Sequence, residues 1–259
     1  MRTIAAAALA LALASCSGAS DEAPEVLPDL DQVAPRALSV IEDDGRERLV
    51  FISAVENVGR GALVVSGRRA ETLAAEMSAW QLVEQADGGN AEYPLRLRLE
   101  FVVSETHRHW HLLDFERYEL RTPAGEPVGE DRKTGFCLGD RYDARGSVRI
   151  PGEPPRAAWT QNCGKDEPER LSVLQGISPG YGDDYVPTLE GQFIDVTDVP
   201  AGRYVLVHRV NPQGDIREAS YANNAASVLL ELRRPAGSLP EVQVLATCQA
   251  SELCGTSTA

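Results

Sequence analysis

The sequence predicts an all-β fold: a β-sandwich catalytic domain carrying long loops and at most one or two short helices. Three observations carry this expectation. Apolar and polar residues alternate over short runs, turn signals fall between the runs, and only one stretch of the 259 residues has clearly helical composition.

The chain opens with Met1-Arg2-Thr3-Ile4 and an Ala/Leu run to Ala14, the pattern of a secretory signal. Its apolar core is too short to span a bilayer. Ala12-Leu13-Ala14 fits ordinary signal-peptidase cleavage, whereas Leu13-Ala14-Ser15-Cys16 resembles the lipobox of bacterial lipoproteins. Cysteine parity favours the second. Of Cys16, Cys137, Cys163, Cys248 and Cys254, a lipid on Cys16 leaves four, suited to two disulfides in an oxidising compartment. Cys137–Cys163 and Cys248–Cys254 are plausible pairs, although spacing alone does not fix connectivity. The expected organisation is a lipoprotein-type signal peptide over 1–15, a flexible tether over 16–30 and one sandwich domain over 31–259 with a short C-terminal tail. Such a protein would be exported and anchored to a membrane of the bacterial cell envelope through Cys16.

Residues 37–67 alternate and carry turn signals. Leu49–Val55 reads as a strand, Glu56-Asn57-Val58-Gly59-Arg60-Gly61 as a turn and Ala62–Val65 as the returning strand. Residues 70–86 have the best helical composition, so a short helix is expected there. Leu95, Leu97, Leu99, Phe101 and Val103 then mark a half-buried strand with its odd-numbered residues inward. A strand over 115–120 and a long loop over 140–170, pinned by Cys163, follow. Strands over 191–196, 203–210 and 226–232 close the domain.

The net charge of −14 argues against nucleic acid as a partner, because phosphate binding needs a basic surface. An acidic protein attracts amines and Lys-rich polypeptides, and the same charge also keeps an exported protein soluble.

Three of the four histidines lie at His107, His109 and His111. On a strand, residues two apart point to one side, so the three imidazoles line one face. Neutral imidazole suits Zn, Cu, Fe and Ni, so the triplet is a candidate transition-metal site. The triplet shares the odd parity of Leu95–Val103 and so extends the inward face, unless a bulge near Glu105 resets the register. His208 reads as a strand histidine with no metal role.

Four segments occur in order around this triplet: His107-Arg108-His109-Trp110-His111, Lys133-Thr134-Gly135-Phe136-Cys137-Leu138, Gly176-Ile177-Ser178-Pro179-Gly180-Tyr181-Gly182-Asp183-Asp184-Tyr185 and Phe193–Val199. Together with Val210-Asn211-Pro212 and Tyr221-Ala222-Asn223-Asn224 they resemble the catalytic domain of the lysyl oxidase family over roughly 45–232. The resemblance implies Cu(II) on His107, His109 and His111, and a lysine tyrosylquinone built from Lys133 and Tyr185. It further implies oxidative deamination of a primary amine, peptidyl lysine or a small amine, by O₂, giving an aldehyde, H₂O₂ and ammonia. Asp183, two residues before Tyr185, is the candidate general base, with Asp184 as fallback. Animal members are richer in cysteine in this domain. A copper-binding lipoprotein that never forms the quinone is the leading alternative function, and an immunoglobulin-like adhesion module without metal is a weaker one.

Overall fold

The computed structural model describes residues 23–104, 108–130, 135–144, 148–187, 189 and 191–255. The expected signal peptide, Cys16, His107, Lys133 and the bulge position Glu105 lie outside these residues.

Among the described residues, alternating apolar residues build sixteen strands in sequence. They begin with β1 (Glu25–Val26), β2 (Leu30–Asp43), β3 (Arg46–Asn57), β4 (Leu63–Arg68), β5 (Glu76–Gln85), β6 (Asn90–Val103) and β7 (Arg108–Leu112). Next come β8 (Glu116–Arg121), β9 (Pro127–Glu130), β10 (Tyr142–Asp143), β11 (Ser172–Ile177) and β12 (Tyr181–Tyr185). Last are β13 (Phe193–Asp195), β14 (Gly202–Val210), β15 (Ala225–Arg233) and β16 (Glu241–Cys248). The strands form three antiparallel sheets. One runs β11-β4-β5-β6-β7 with β1 on β5, another β10-β12-β3-β13 with β2 on β3, and the third β16-β15-β14-β8-β9. The β2–β3 hairpin closes through Asp44 and Gly45, both at positive φ as a tight two-residue loop requires. All three sheets feed one core, in which Phe51, Leu99, Trp110, Tyr118, Leu206 and Leu230 are buried.

The all-β expectation therefore describes the chain, with local corrections. No helix forms among the described residues, and the expected helix over 70–86 is turn followed by β5. Met77, Ala79, Gln81 and Val83 bury one face at period two, and pairing with β4 and β6 outweighs the local helical propensity. Residues 25–30, expected within the tether, are built into the fold. β1 pairs with β5, Gly61 donates its N–H to the Leu27 carbonyl, and Leu30 donates to Glu218 Oε2 at 2.9 Å. The last strand is β16 rather than β15, so the expected tail begins later. Among the described residues, the long loop after Gly139 holds only the two-residue β10 before β11, and both disulfides, Cys137–Cys163 and Cys248–Cys254, are formed.

The parity of the histidine segment also needs correction. The chain does not run on from β6; it reverses, so Leu99 pairs with Leu112 and Phe101 with Trp110. Directly opposed residues in an antiparallel pair share a face. Odd positions of β6 thus share the core face with even positions of β7, where Trp110 and Leu112 are fully buried. His109 and His111 stand on the other face, opposite Val102 and Glu100. The imidazoles do lie together, but turned away from the core.

Asn211 and Asn224 serve the fold. Both donate to Glu218 Oε1 at 2.6 Å, and Asn211 also closes its own turn through the Ile216 carbonyl and N–H. Burial pushes Glu218 up to about 7, with these amides opposing the shift.

Candidate active site

The site begins with β7. Trp110 and Leu112 anchor the strand in the core, and the histidines between and before them stand on the opposite face, His111 buried and His109 half-buried. His109 and His111 bring their Nε2 atoms to 2.7 Å, with ring centroids 4.7 Å apart. Convergence of the same ring nitrogen from adjacent imidazoles is the arrangement of neighbouring ligands on one ion. Metal–imidazole distances of about 2.0–2.1 Å at a right angle would set such nitrogens about 2.9 Å apart. The pair therefore fits a transition metal. Without one, the two nitrogens can share one hydrogen bond. His107, the third candidate ligand, lies outside the described residues.

Beyond the β6 pairing, two segments flank β7. Leu112 exchanges both backbone hydrogen bonds with Phe136, and Trp110 donates its N–H to the Cys163 carbonyl at 2.9 Å. The Cys137–Cys163 bridge joins these two flanking segments. Gly135 fits closely against the strand: at φ +126°, a Cβ there would lie 2.7 Å from the Leu112 carbonyl oxygen and 3.0 Å from His111 Cβ. A side chain has no room in this place, and the backbone conformation is one that favours glycine.

The same segment receives Tyr185 from its other side. The Tyr185 ring meets the Phe136 ring edge-to-face at 4.9 Å, and its hydroxyl lies 3.3 Å from the Cys137 carbonyl. One stretch of chain, 135–137, is thus touched by the histidine strand and by the tyrosine. Lys133, two positions before Gly135 in sequence, lies outside the described residues.

Asp183 completes the arrangement. It alternates with Tyr185 on one face of β12, is fully buried, and accepts the Tyr185 hydroxyl on Oδ2 at 2.9 Å. Gly139 donates its N–H to the same oxygen at 3.2 Å. Oδ1 has no hydrogen-bond partner among the described residues, and the Arg141 guanidinium stands 3.5 Å away as an ion pair. Burial pushes Asp183 up to about 8, partly opposed by Arg141, the Tyr185 hydroxyl and the Gly139 N–H. Burial and the neighbouring carboxylates raise Tyr185 well above the ordinary phenol range, so its hydroxyl keeps its proton. Asp184 faces elsewhere and pairs distantly with Arg36.

The structure brings together His109, His111, Asp183 and Tyr185 around 135–141. Gly139 and Arg141 were not foreseen, and Phe136 entered only as a member of the motif that begins at Lys133. Arg141 had no legible signal, since it reaches Asp183 across forty-odd residues of chain. Asp140 explains part of the Ser178-Pro179-Gly180 motif. Its carboxylate accepts Ser178 N–H, Ser178 hydroxyl, and the Ala158 and Trp159 N–H groups, fixing the approach to β12 against the long loop.

Comparison with known proteins bears on the whole of this region. The family model described as Lysyl oxidase matches residues 79–236. Lysyl oxidase homolog 3 of Homo sapiens is 32% identical over 143 residues, covering 53% of this chain and 16% of that protein. Lysyl oxidase homolog 1 of Homo sapiens is 34% identical over 139 residues, 52% of this chain and 21% of that protein. Lysyl oxidase homolog 3A of Danio rerio is 34% identical over 140 residues, 53% and 17% respectively. The matched region is thus about one fifth or less of these relatives. More than half of the present chain falls within the family match, including β7, β12 and the segment between them, and the chain belongs to the lysyl oxidase family.

Proposed function

We propose that the protein is a copper-dependent amine oxidase, converting a primary amine and O₂ to an aldehyde, ammonia and H₂O₂. The observation that carries this reading is the stretch 135–137, which pairs with the strand bearing the converging imidazoles on one side and packs against Tyr185 on the other. In this reading His107, His109 and His111 hold Cu(II), and Lys133 and Tyr185 supply the lysine tyrosylquinone. Copper and quinone together provide the electron sink for amine oxidation and the path of electrons to O₂.

The protein residues provide proton handling and order. Asp183 Oδ1 is the open oxygen of a buried carboxyl whose proton affinity lies near neutrality, which suits it to take the amine α-proton and later return it. Arg141 steadies the charged form, and Gly139 holds Oδ2 in place. Phe136 packs edge-on against the Tyr185 ring and helps keep water away from it. Peptidyl lysine or small amines are the proposed substrates, attracted by the charge of −14. A lipid on Cys16 is the proposed membrane anchor.

The test is peroxide release from a primary amine by the copper-loaded protein, with Tyr185→Phe as control. Release by the wild type and none by a Tyr185→Phe variant that still binds copper is the expected result. Equal release by both would exclude a tyrosine-derived cofactor. Copper binding without peroxide from either would favour a copper-binding lipoprotein.

A further inference from the structure

Behind Tyr185 lies a chain of buried polar groups that the proposed chemistry does not use. Tyr185 is paired in register with Ser53 of β3, so the two side chains share a face. Ser53 Oγ lies 2.9 Å from the Tyr118 hydroxyl, and Tyr118 donates to Glu116 Oε2 at 2.8 Å. His208 Nε2 is 2.7 Å from the same Oε2, and His208 Nδ1 is 2.8 Å from Gln32 Nε2. Gln32, Ser53, Glu116, Tyr118 and His208 come from β2, β3, β8 and β14, and each is buried.

The directions of these bonds follow from the donor inventory. Gln32 Nε2 also donates to the Ala54 carbonyl at 2.6 Å, which fixes the amide with its NH₂ towards His208. His208 Nδ1 must therefore accept, so its proton sits on Nε2 and points at Glu116. Tyr118 spends its one hydrogen on Glu116, so Ser53 donates to Tyr118. Two donors converge on one carboxylate oxygen, the pattern of an ionised acid. Glu116 Oε1 has no hydrogen-bond partner among the described residues, and a second proton on His208 would face the Gln32 amide at 2.8 Å with only the Val33 carbonyl, at 3.4 Å, to accept it. Two hydrogen bonds therefore hold this carboxylate in place.

We propose that Glu116 is a positioning residue of the candidate active site, a fixed negative charge behind Asp183 and Tyr185 that His208 and Gln32 hold and that Tyr118 and Ser53 join to the tyrosine's strand. Its role is to keep the proton on Asp183 until substrate or cofactor demands otherwise. The charge of Glu116 raises the proton affinity of both Asp183 and Tyr185. Other groups around Asp183 are accounted for. Arg141 opposes Glu116 from the 137–141 segment, and Tyr142 packs over Gly182 with its hydroxyl 3.1 Å from Glu56. Asp184 turns towards Arg36.

This inference rests on the reading of Asp183 and Tyr185 as the working pair, and its test needs no turnover. Infrared titration of the metal-free full chain follows the protonated carboxyl band of Asp183, identified by its loss in Asp183→Asn. In Glu116→Gln the midpoint is expected to fall by about one pH unit, and in Glu116→Asp to stay near the wild-type value. Gln32→Met offers a second route: it frees His208 Nδ1 to take a proton, which cancels the charge and lowers the midpoint in the same direction. A purely structural role would alter the melting temperature and leave the midpoint in place. An unmoved midpoint in both Glu116→Gln and Gln32→Met overturns the proposal, as does an equal shift in Glu116→Gln and Glu116→Asp. Absence of oxidase activity is a separate result and leaves this titration interpretable.

Discussion

Replacing Asp183 by asparagine should remove a pH dependence from the stability of the protein. Asparagine matches the shape of the acid, and its amide oxygen can accept the Tyr185 hydroxyl and the Gly139 N–H as Oδ2 does now. Burial lifts Asp183 from an ordinary 3.8 to about 8, so the folded state holds this proton through a range where the unfolded chain has lost it. A raised folded-state affinity gives stabilisation that is complete below the ordinary carboxylate range and is lost as pH rises to about 8. Within that window each pH unit removes about 1.4 kcal/mol, or roughly 3 kcal/mol between pH 5 and 7. Urea unfolding of metal-free wild type and Asp183→Asn at pH 5, 6, 7 and 9 measures this directly. The variant should gain on the wild type by about 1.4 kcal/mol per unit up to pH 7, and the difference should level off above pH 8. Other titrating groups, Glu218 among them, cancel in the comparison. Parallel stability curves between pH 5 and 7, with equal m-values, would refute the assignment of a buried, proton-holding carboxyl at this position.

Three further outcomes are expected. Gly135→Ala forces a side chain against the Leu112 carbonyl and His111, so copper affinity measured by competition titration should fall tenfold or more, with destabilisation of at least about 1 kcal/mol. Cys137→Ser/Cys163→Ser opens a loop with a sequence separation of 26, which by loop-closure entropy costs about 3–4 kcal/mol and should show in urea unfolding. Trp110→Ala removes a fully buried indole, and a loss of about 3–5 kcal/mol in the same assay is expected.

What the sequence made legible was periodic and local. Alternation over 95–103 and 203–210 corresponds to β6 and β14, and the spacing of His109 and His111 does place both on one face. Failures came where distant partners decide. The 70–86 segment has helical composition, yet the neighbouring strands β4 and β6 recruit it into a sheet. Odd parity continued from Val103 to His111 in the sequence, but the reversal between them exchanges the faces, and no periodicity can reveal a reversal. In the same way Asp183 could be named from its place two residues before Tyr185, whereas Arg141, Glu116 and His208 could not. They reach the site through pairings of strands far apart in sequence.

The alternation of β7 has a thermodynamic consequence. Trp110 and Leu112 belong to the core, and His109 and His111 stand on the opposite face, so core and candidate ligands are two sides of one ribbon. Looseness on one side becomes disorder on the other. A cation that binds only the native chain stabilises it by RT ln(1 + [L]/Kd), and that gain reaches Trp110 and Leu112 through the strand they share with the ligands. Metal affinity and resistance to unfolding should therefore rise and fall together in variants of Leu99 or Phe101, which touch no metal ligand's side of the sheet. In this protein a core packing change is also a change at the proposed metal site.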